Sequence, residues 1–585
     1  MVRKIMYLFD LFRSFLPLHN PIGFGAADFV ELGLAALLVV FVLARGPVEP
    51  IARKFAGKTG WCMLFLGGLT MVLRLALLSS HPVPTAQGAD DYSYLLLGDT
   101  LAHFRLANPT HALHRFFETN FVLQQPSYSS IYPLGPALAL AFGQIVFHLP
   151  WAGVVLSEAL FCALCYWMLR GWATPGWALI GGLLAVCEYG PLCYWMNCYW
   201  GGAVSGGAGC LVFGALPRLR DHGRIREAIL LGVGLGLQML SRPYESIIVD
   251  VAVLMLVLST PRKFVKLAPL AALAVVPFVA LLAFHNRAVT GSWTTLPYML
   301  SRYQYGVPTT FAFQPNPLPH AQLTAAQQLY YEGQSEAHNA IPGFFDRLAS
   351  RIPFMRFFLL PPLFLALPFF LLLLREFRFA WVALTLLLFV IGSNLYPYFF
   401  PHYAAAAACL VLLAVVAGLE RLSRWNPVAT RWIVILCGAH FLFWYGIEAL
   451  GNDKVFDAMS PYDAWDTIAG VDPEHRAAID AQLAHAPGQQ LVFVRYFAGH
   501  GYHEWIHNAA DIDSARVVMA LDLGPEENRV LESYYPGRSV WLLEPDAIPP
   551  RLAPYHVQEE PPATQAAPTA SPKQSNNGMV LEQVR

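Results

Sequence analysis

Long apolar runs separated by short polar connections dominate the chain, and a bilayer crossing needs about 20 apolar residues. On that spacing the sequence predicts spans near 28–45, 60–80, 151–170, 175–192, 201–217, 228–242, 246–260, 266–285, 357–374, 379–394, 403–419 and 432–450. The apolar stretch 134–147 is shorter than a span and suits a half-inserted helix lying in one leaflet. After about 452 the period changes. Apolar runs at 491–494, 517–520 and 539–543 read as strands, and a charged helical stretch at 473–484 precedes them. These patterns divide the chain into 1–58 (an amphipathic segment and first span), 59–450 (a membrane module with large loops at 81–133 and 286–356), 451–556 (a small α/β domain) and 557–585. The last stretch, rich in Pro, Gln, Ala, Ser and Asn, is expected to be disordered.

Composition agrees with a lipid solvent. Of 585 residues, 56% are hydrophobic and 13% charged, about half the roughly 25% of soluble domains. With 38 Lys+Arg against 39 Asp+Glu the net charge is −1, which excludes nucleic-acid binding driven by bulk charge. Basic clusters at Arg45/Arg53/Lys54/Lys58, Arg218/Arg220/Arg224/Arg226, Arg262/Lys263/Lys266, Arg375/Arg378 and Arg421/Arg424/Arg431 are placed inside by the positive-inside trend. Segments 81–150, 190–200, 286–356 and everything beyond about 450 then fall outside. Parity between the first two allows only two crossings, so 134–147 does not cross. The basic segment 1–20, with Arg3, Lys4 and Arg13, has no side fixed by this reasoning, and no Ala-x-Ala site follows a short apolar core. Cys193 and Cys198 flank an outer loop, but no cysteine framework surrounds them, so a disulfide there is the minority reading.

Candidate chemistry gathers at the outer boundary. Asp90-Asp91 follows the 60–80 span directly, where carboxylates are costly to desolvate and where a general base for an acceptor hydroxyl would stand. The plainer role is capping a helix that starts at Tyr92. That helix, 92–104, reads as amphipathic and surface-lying. Two carboxylates can also hold a divalent ion. Arg242 and Glu245 sit between two spans near the outer leaflet and either contact phosphate or sugar or neutralise each other. Arg302 and Tyr303 in the second large loop and His402 at a span's outer end are further pocket candidates, against solvated or merely buried roles. Arg74 lies within a span and is expected to snorkel or pair with Glu158 or Glu188. The glycine-rich run 201–209 lacks the Lys-Ser/Thr of a phosphate loop and suits close helix packing. Tyr194-Trp195 and Tyr199-Trp200 read as interfacial anchors, with sugar stacking the alternative.

Taken in order, these motifs resemble a known class. The stretch Arg74-Leu-Ala-Leu-Leu leads to Ala89-Asp90-Asp91-Tyr92-Ser93-Tyr94 and on to Asp99, Thr100 and His103. Arg105-Leu-Ala-Asn108-Pro109-Thr-His111, Gln124-Gln125-Pro126-Ser-Tyr128 and Tyr132-Pro133 follow. With Leu240-Ser241-Arg242-Pro243-Tyr244-Glu245, Phe400-Pro401-His402-Tyr403 and the run from Arg538 to Pro545, the pattern covers most of 60–555. It is similar to the GT-C class of integral membrane glycosyltransferases, the superfamily of protein O-mannosyltransferases and the lipid A aminoarabinose transferase.

The resemblance implies an α-helical polytopic membrane bundle of about 11–12 spans, GT-C-like, with a small C-terminal α/β extracytoplasmic domain. It implies inverting transfer of a sugar from a polyprenyl-phosphate donor to a lipid, glycan or protein acceptor, on the outer face of a bacterial-type inner membrane. No cofactor is firmly implied. Asp90 falls at the base, Asp91 stands where Glu is usual, and Tyr132 joins Arg242, Glu245, Arg302, Tyr303 and His402 as substrate contacts. Arginine suits the leaving lipid phosphate because it presents a fork of donors. One departure is chemical: the Lys that often precedes Tyr-Pro-Pro is Ile131 here, and the motif reads Tyr132-Pro133-Leu134. Another cation would have to substitute, or the chain is a non-catalytic relative. A transporter or lipid flippase is the rival from another class; it should carry mid-span charge and paired halves.

Overall fold

A computed structural model describes residues 48–86, 88–309, 311–450, 476–497, 500 and 503–555. The expected 28–45 span, the stretch 452–475 and the tail from 557 lie outside the described residues. The chain divides into two compact units, one of 1–84, 133–282 and 343–471, the other of 85–132, 283–342 and 472–585.

The first unit is a helical bundle. Among the described residues Thr59–Ala76, Pro150–Leu169, Ala268–Thr290, Pro401–Trp425 and Pro427–Ala449 are long and apolar enough to cross a membrane, and the chain is a multi-pass membrane protein. Pro175–Tyr189, Ala203–His222, Ile225–Ser241, Pro243–Ser259 and Phe377–Ser393 are the helices at five further expected positions. Several begin with Pro in the first turn, where its missing N–H costs nothing and its fixed φ favours the helix. The stretch 134–147 is a helix over Leu134–Phe147. The expected span at 357–374 is helical only over Pro361–Leu371, which opens as a 3₁₀ helix (Pro361–Ala366) and continues as Leu367–Leu371, with a separate 3₁₀ helix at Ile352–Phe358 before it. Pro361 disfavours helical backbone at Leu360, so this helix starts at Pro361 instead of continuing the turn before it.

Small residues set the packing of this bundle. A Cβ on Gly209 would stand 2.1 Å from the Ala406 carbonyl oxygen, and one on Gly206 2.7 Å from the Phe161 ring, so the 201–209 run serves close helix approach. Trp195 is wholly buried, with its ring stacked 5.7 Å from Tyr189; it is core, not the interfacial anchor the sequence suggested. Arg74 also departs from expectation. Fully buried, it donates to Asn197 Oδ1 (2.8 Å) and to the carbonyls of His81 and Pro82 (2.9 and 3.1 Å), and its guanidinium lies 4.6 Å from the Trp151 ring centre. A neutral amide and two carbonyls thus satisfy its donors in place of Glu158 or Glu188. Cys193 and Cys198 form no disulfide, in line with the lack of a cysteine framework around them.

The tightest contact joins Leu134–Phe147 to Pro150–Leu169: a Cβ on Gly153 would sit 1.7 Å from the Ala139 carbonyl oxygen. Gly153→Ala must push the two backbones apart, an overpacking cost of about 1–3 kcal/mol. It should lower the thermal midpoint in detergent by several degrees, while Gly60→Ala, with nothing within 4 Å of the added carbon, should not. Equal midpoints for the two variants would contradict the packing.

The second unit is built on a four-stranded sheet of β1 (Gln490–Val494), β2 (Val517–Leu521), β3 (Ser539–Glu544) and β4 (Arg551–Pro554), in the order β2-β1-β3-β4. β1 pairs in parallel with β2 and β3, and β4 closes the edge antiparallel to β3. β1 is buried at all five positions because both faces of this central strand are covered. Its two faces separate cleanly: Leu491 and Phe493 pack with Leu96, Phe116, Phe117, Val122 and Tyr128, whereas Val492 and Val494 pack with Ile479, Leu483 and Trp505. One face of the sheet is therefore roofed by the segment that follows the Thr59–Ala76 helix.

Candidate functional site

Asp90 and Asp91 lie in the first turn of a helix that runs from Ala89 to Ala102, one residue behind the extended N-cap Gly88. The helix begins earlier than the sequence suggested, so neither Asp is its N-cap. Asp91, buried, accepts from the Gly88 N–H at 3.5 Å, one half of a capping box, because Gly88 has no side chain to return the bond. Negative charge in this turn is favoured by the exposed backbone donors of the helix end. The helix is not amphipathic and surface-lying: Asp91, Tyr92, Ser93, Tyr94, Leu96, Leu97, Gly98 and Thr100 are all buried, on every side of it.

Asp90 is half-buried, and Tyr132 donates its hydroxyl to Asp90 Oδ1. The Tyr132 ring stacks on Tyr94, with centres 4.4 Å apart and 9° between planes, and meets Phe121 edge-on. Ser93 braces the same turn by donating to the Phe121 carbonyl at 2.7 Å. Burial, and then the Asp90 carboxylate, pushes the Tyr132 phenol well above its ordinary value. Ile131 is 1% exposed and packs with Ala89, Phe121, Leu123 and Val289, so the position where the family often carries Lys belongs here to an apolar cluster.

Burial similarly raises the phenols of Tyr128, Tyr305 and Tyr496 in this unit. A phenol raised above its unfolded value of about 10 contributes stability that is fully present below that pH and lost as pH climbs through the folded value. The tyrosinate absorbance that these buried phenols contribute should therefore appear only as far-UV dichroism is lost, above about pH 10. Titration of every tyrosine, the buried ones included, near pH 10 with the fold intact would contradict this burial.

Arg302 and Tyr303 belong to the helix Pro297–Tyr305 of the same unit. Tyr303 is exposed and its ring stacks on His320 at 4.1 Å. Within the helical unit, Arg242 pairs with Glu245 at 2.8 Å, and its guanidinium lies 4.2 Å from the Tyr403 ring centre. Glu245 is buried. His402, also buried, shares a 3.0 Å hydrogen bond with the Tyr194 hydroxyl and meets the Trp200 ring edge-on at 5.0 Å. Asp90, Asp91 and Tyr132 thus form one cluster, and in the other unit Arg242 and His402 both meet the Tyr403 ring, with Glu245 paired to Arg242.

Two residues near the second cluster escaped the sequence reading. Arg347 donates to the Asn394 carbonyl (2.9 Å), and Arg351 to those of Ser393 and Tyr396 (2.5 and 2.6 Å). Together they staple the turn that leads to Phe400-Pro401-His402-Tyr403. Burial lowers Arg351 to about 10, which leaves it charged at neutral pH. Basic residues ahead of a Pro- and Phe-rich run were the available signal, but a loop arginine is ordinarily solvated.

Among the described residues no three His, Cys, Asp or Glu side chains are grouped to hold a metal ion. A cleft lined by Tyr92, Phe117, Thr119, Asn120, Glu504 and His507 has room of about 20 Å³, enough for a water but not for a sugar ring.

No family model matches the chain, and no curated protein does. Among solved structures it is similar to the aminoarabinose transferase ArnT of Cupriavidus metallidurans in the apo state, at 13% identity and TM-score 0.45 over 83% of this chain and 93% of that one. The same protein bound to undecaprenyl phosphate gives 11% identity, the same coverages and TM-score 0.46. The Archaeoglobus fulgidus oligosaccharyltransferase, in complex with zinc and sulfate, gives 13% identity and TM-score 0.43 over 72% of this chain. This chain spans about half of that protein's length, 55%. Both neighbours are GT-C glycosyltransferases, the class that the sequence motifs resemble.

Proposed function

We propose that this protein is a membrane glycosyltransferase that moves a sugar from a polyprenyl-phosphate donor to an acceptor hydroxyl at the outer face of a bacterial-type inner membrane. The observation that carries the reading is the half-buried Asp90, set in a helix's first turn and held by the Tyr132 hydroxyl. A carboxylate serves as a general base when it has a fixed aim and an open side, and a tyrosine on one oxygen gives the aim while partial exposure leaves access. Asp90 takes the proton of the acceptor hydroxyl as its oxygen attacks the anomeric carbon. The bond to the lipid phosphate breaks from the opposite face, and the configuration inverts. Asp91, turned back on the Gly88 N–H, acts as a supporting carboxylate that keeps the turn in place.

The leaving phosphate needs cations. Arg242 is the contact we assign, with Arg351 and Arg347 holding the turn that presents His402 and Tyr403. These take the place of the lysine lost at Ile131. Arg302, Tyr303 and Glu245 are each assigned as substrate contacts in this reading. No step is routed through a divalent ion. The donor enters laterally from the bilayer beside the Leu134–Phe147 helix, and the α/β domain lies on the extracytoplasmic side.

The test is reconstitution of the full chain in liposomes with polyprenyl-phosphate sugars. Labelled sugar should move to an acceptor with wild type and not with Asp90→Asn. Undiminished transfer by that variant would remove Asp90 from the mechanism, and no transfer from any donor would favour a transporter or a non-catalytic relative.

A further inference from the structure

The helix that carries Asp90 and Asp91 is held at both ends by the C-terminal α/β module. At its start the N-cap Gly88 forms an antiparallel bridge with His503. Tyr92, one residue past Asp91, lies against Arg476: the guanidinium carbon is 4.7 Å from its ring centre, and Nη1 donates to its hydroxyl. That hydroxyl donates onward to the Ala86 carbonyl at 2.8 Å, just before the N-cap. Trp505 covers the guanidinium at 4.2 Å, and His507 stacks on the Tyr92 ring at 4.4 Å. At the far end Asp99 Oδ2 accepts the Ala510 N–H at 2.7 Å.

Arg476 is only 3% exposed, and a buried guanidinium is tolerated where its donors are placed and its faces covered. Its other terminal nitrogen goes to the Glu504 carbonyl (2.5 Å). The Glu504 carboxylate is itself fixed by the Tyr496 hydroxyl at 2.6 Å and by the N–H groups of Trp505 and Ile506 at 3.1 Å each. Burial, and then the neighbouring Arg476, holds His507 down to about 3, so a second cation does not compete for the site. The module therefore directs its most deeply buried charge at the first turn of the Asp-bearing helix. The nearby cleft is too small for a sugar.

We propose that the C-terminal module is a positioning device for the transfer step, and that Arg476, acting through Tyr92, sets the aim of Asp90. This rests on the reading of Asp90 as the base. A displacement of about 1 Å at a reacting group can cost on the order of a hundredfold in rate, so a clamp on one helical turn is worth a buried cation.

Two measurements on the full chain test it, one of which needs no activity. In hydrogen exchange, Arg476→Ala and Tyr92→Phe should each speed exchange at amides 89–94 by at least about tenfold, with β1 amides 490–494 unchanged. Unchanged exchange at 89–94, or equal loss across the whole unit, would overturn the proposal. In liposomes with a polyprenyl-phosphate sugar, Arg476→Ala should lower kcat by roughly ten- to a hundredfold with donor and acceptor KM within about twofold, and Arg476→Lys should recover part of it. A raised acceptor KM with kcat intact would instead make the module an acceptor-binding domain. Should Arg476→Ala not fold, Tyr92→Phe, which removes one hydroxyl, decides. Asp90→Asn separates the two ideas: an inactive Asp90→Asn beside a fully active Arg476→Ala and Tyr92→Phe sinks the positioning role alone, whereas an active Asp90→Asn sinks the reading beneath it.

Discussion

Asp90→Asn is expected to lower sugar transfer by about 10²–10⁴-fold, the range of a lost general base, without loss of folded protein. The substitution is nearly isosteric, and the amide oxygen still accepts from Tyr132, so the stacked Tyr94–Tyr132 pair and the first helical turn should survive. What disappears is the capacity to take a proton. Asp91→Asn makes the contrast informative: its carboxylate faces the Gly88 N–H, an acceptor task that an amide oxygen can perform. A loss within about tenfold is expected there. If Asp91→Asn were the dead variant and Asp90→Asn the active one, the two roles would be exchanged. Tyr132→Phe should fall between them, because the base remains but one restraint on its direction goes. Turnover under saturating donor, with thermal melts alongside, measures all three.

Much of the bundle could be read because apolar length and loop charge are local signals. Leu134–Phe147 was visible as a short apolar run, and three of the four sheet strands as period-2 segments. The late start of the helix within 357–374 was hidden because hydropathy does not register that Pro361 keeps Leu360 out of helical backbone. Arg74 was misjudged for a different reason: a buried cation is expected to find a carboxylate, and Asn197, its neutral partner, lies 123 residues away. The same blindness to long range explains Arg476. In sequence it is one more charge in a soluble-looking segment. Its significance comes from Tyr92, 384 residues earlier. Asp90 could be singled out from its place after a span, whereas the tyrosine that holds it, 42 residues on, was legible only as part of a motif.

Arg242 carries the other large expected effect, and its pairing with Glu245 lets two explanations be separated. Glu245 has only 3% of its side chain exposed, so Arg242→Gln strands a buried carboxylate, at a cost of about 3–5 kcal/mol. Lost activity in that single variant would therefore mean little, since the fold is weakened as well. The double variant Arg242→Gln/Glu245→Gln removes the stranded charge, because two amides can hydrogen-bond to each other, and its thermal midpoint should return close to wild type. If Arg242 exists only to neutralise Glu245, transfer returns with it. If Arg242 meets the leaving phosphate over the face of Tyr403, transfer should stay depressed by at least about tenfold, the worth of one lost charge-assisted hydrogen bond. The loss should fall on kcat more than on donor KM, because negative charge grows on the phosphate as its bond to the sugar breaks. Arg242→Lys should restore stability better than rate, since an ammonium can pair with Glu245 but cannot offer a planar fork to phosphate while stacked on a ring. Melting curves and steady-state transfer for the three variants, taken together, distinguish a structural ion pair from a catalytic cation.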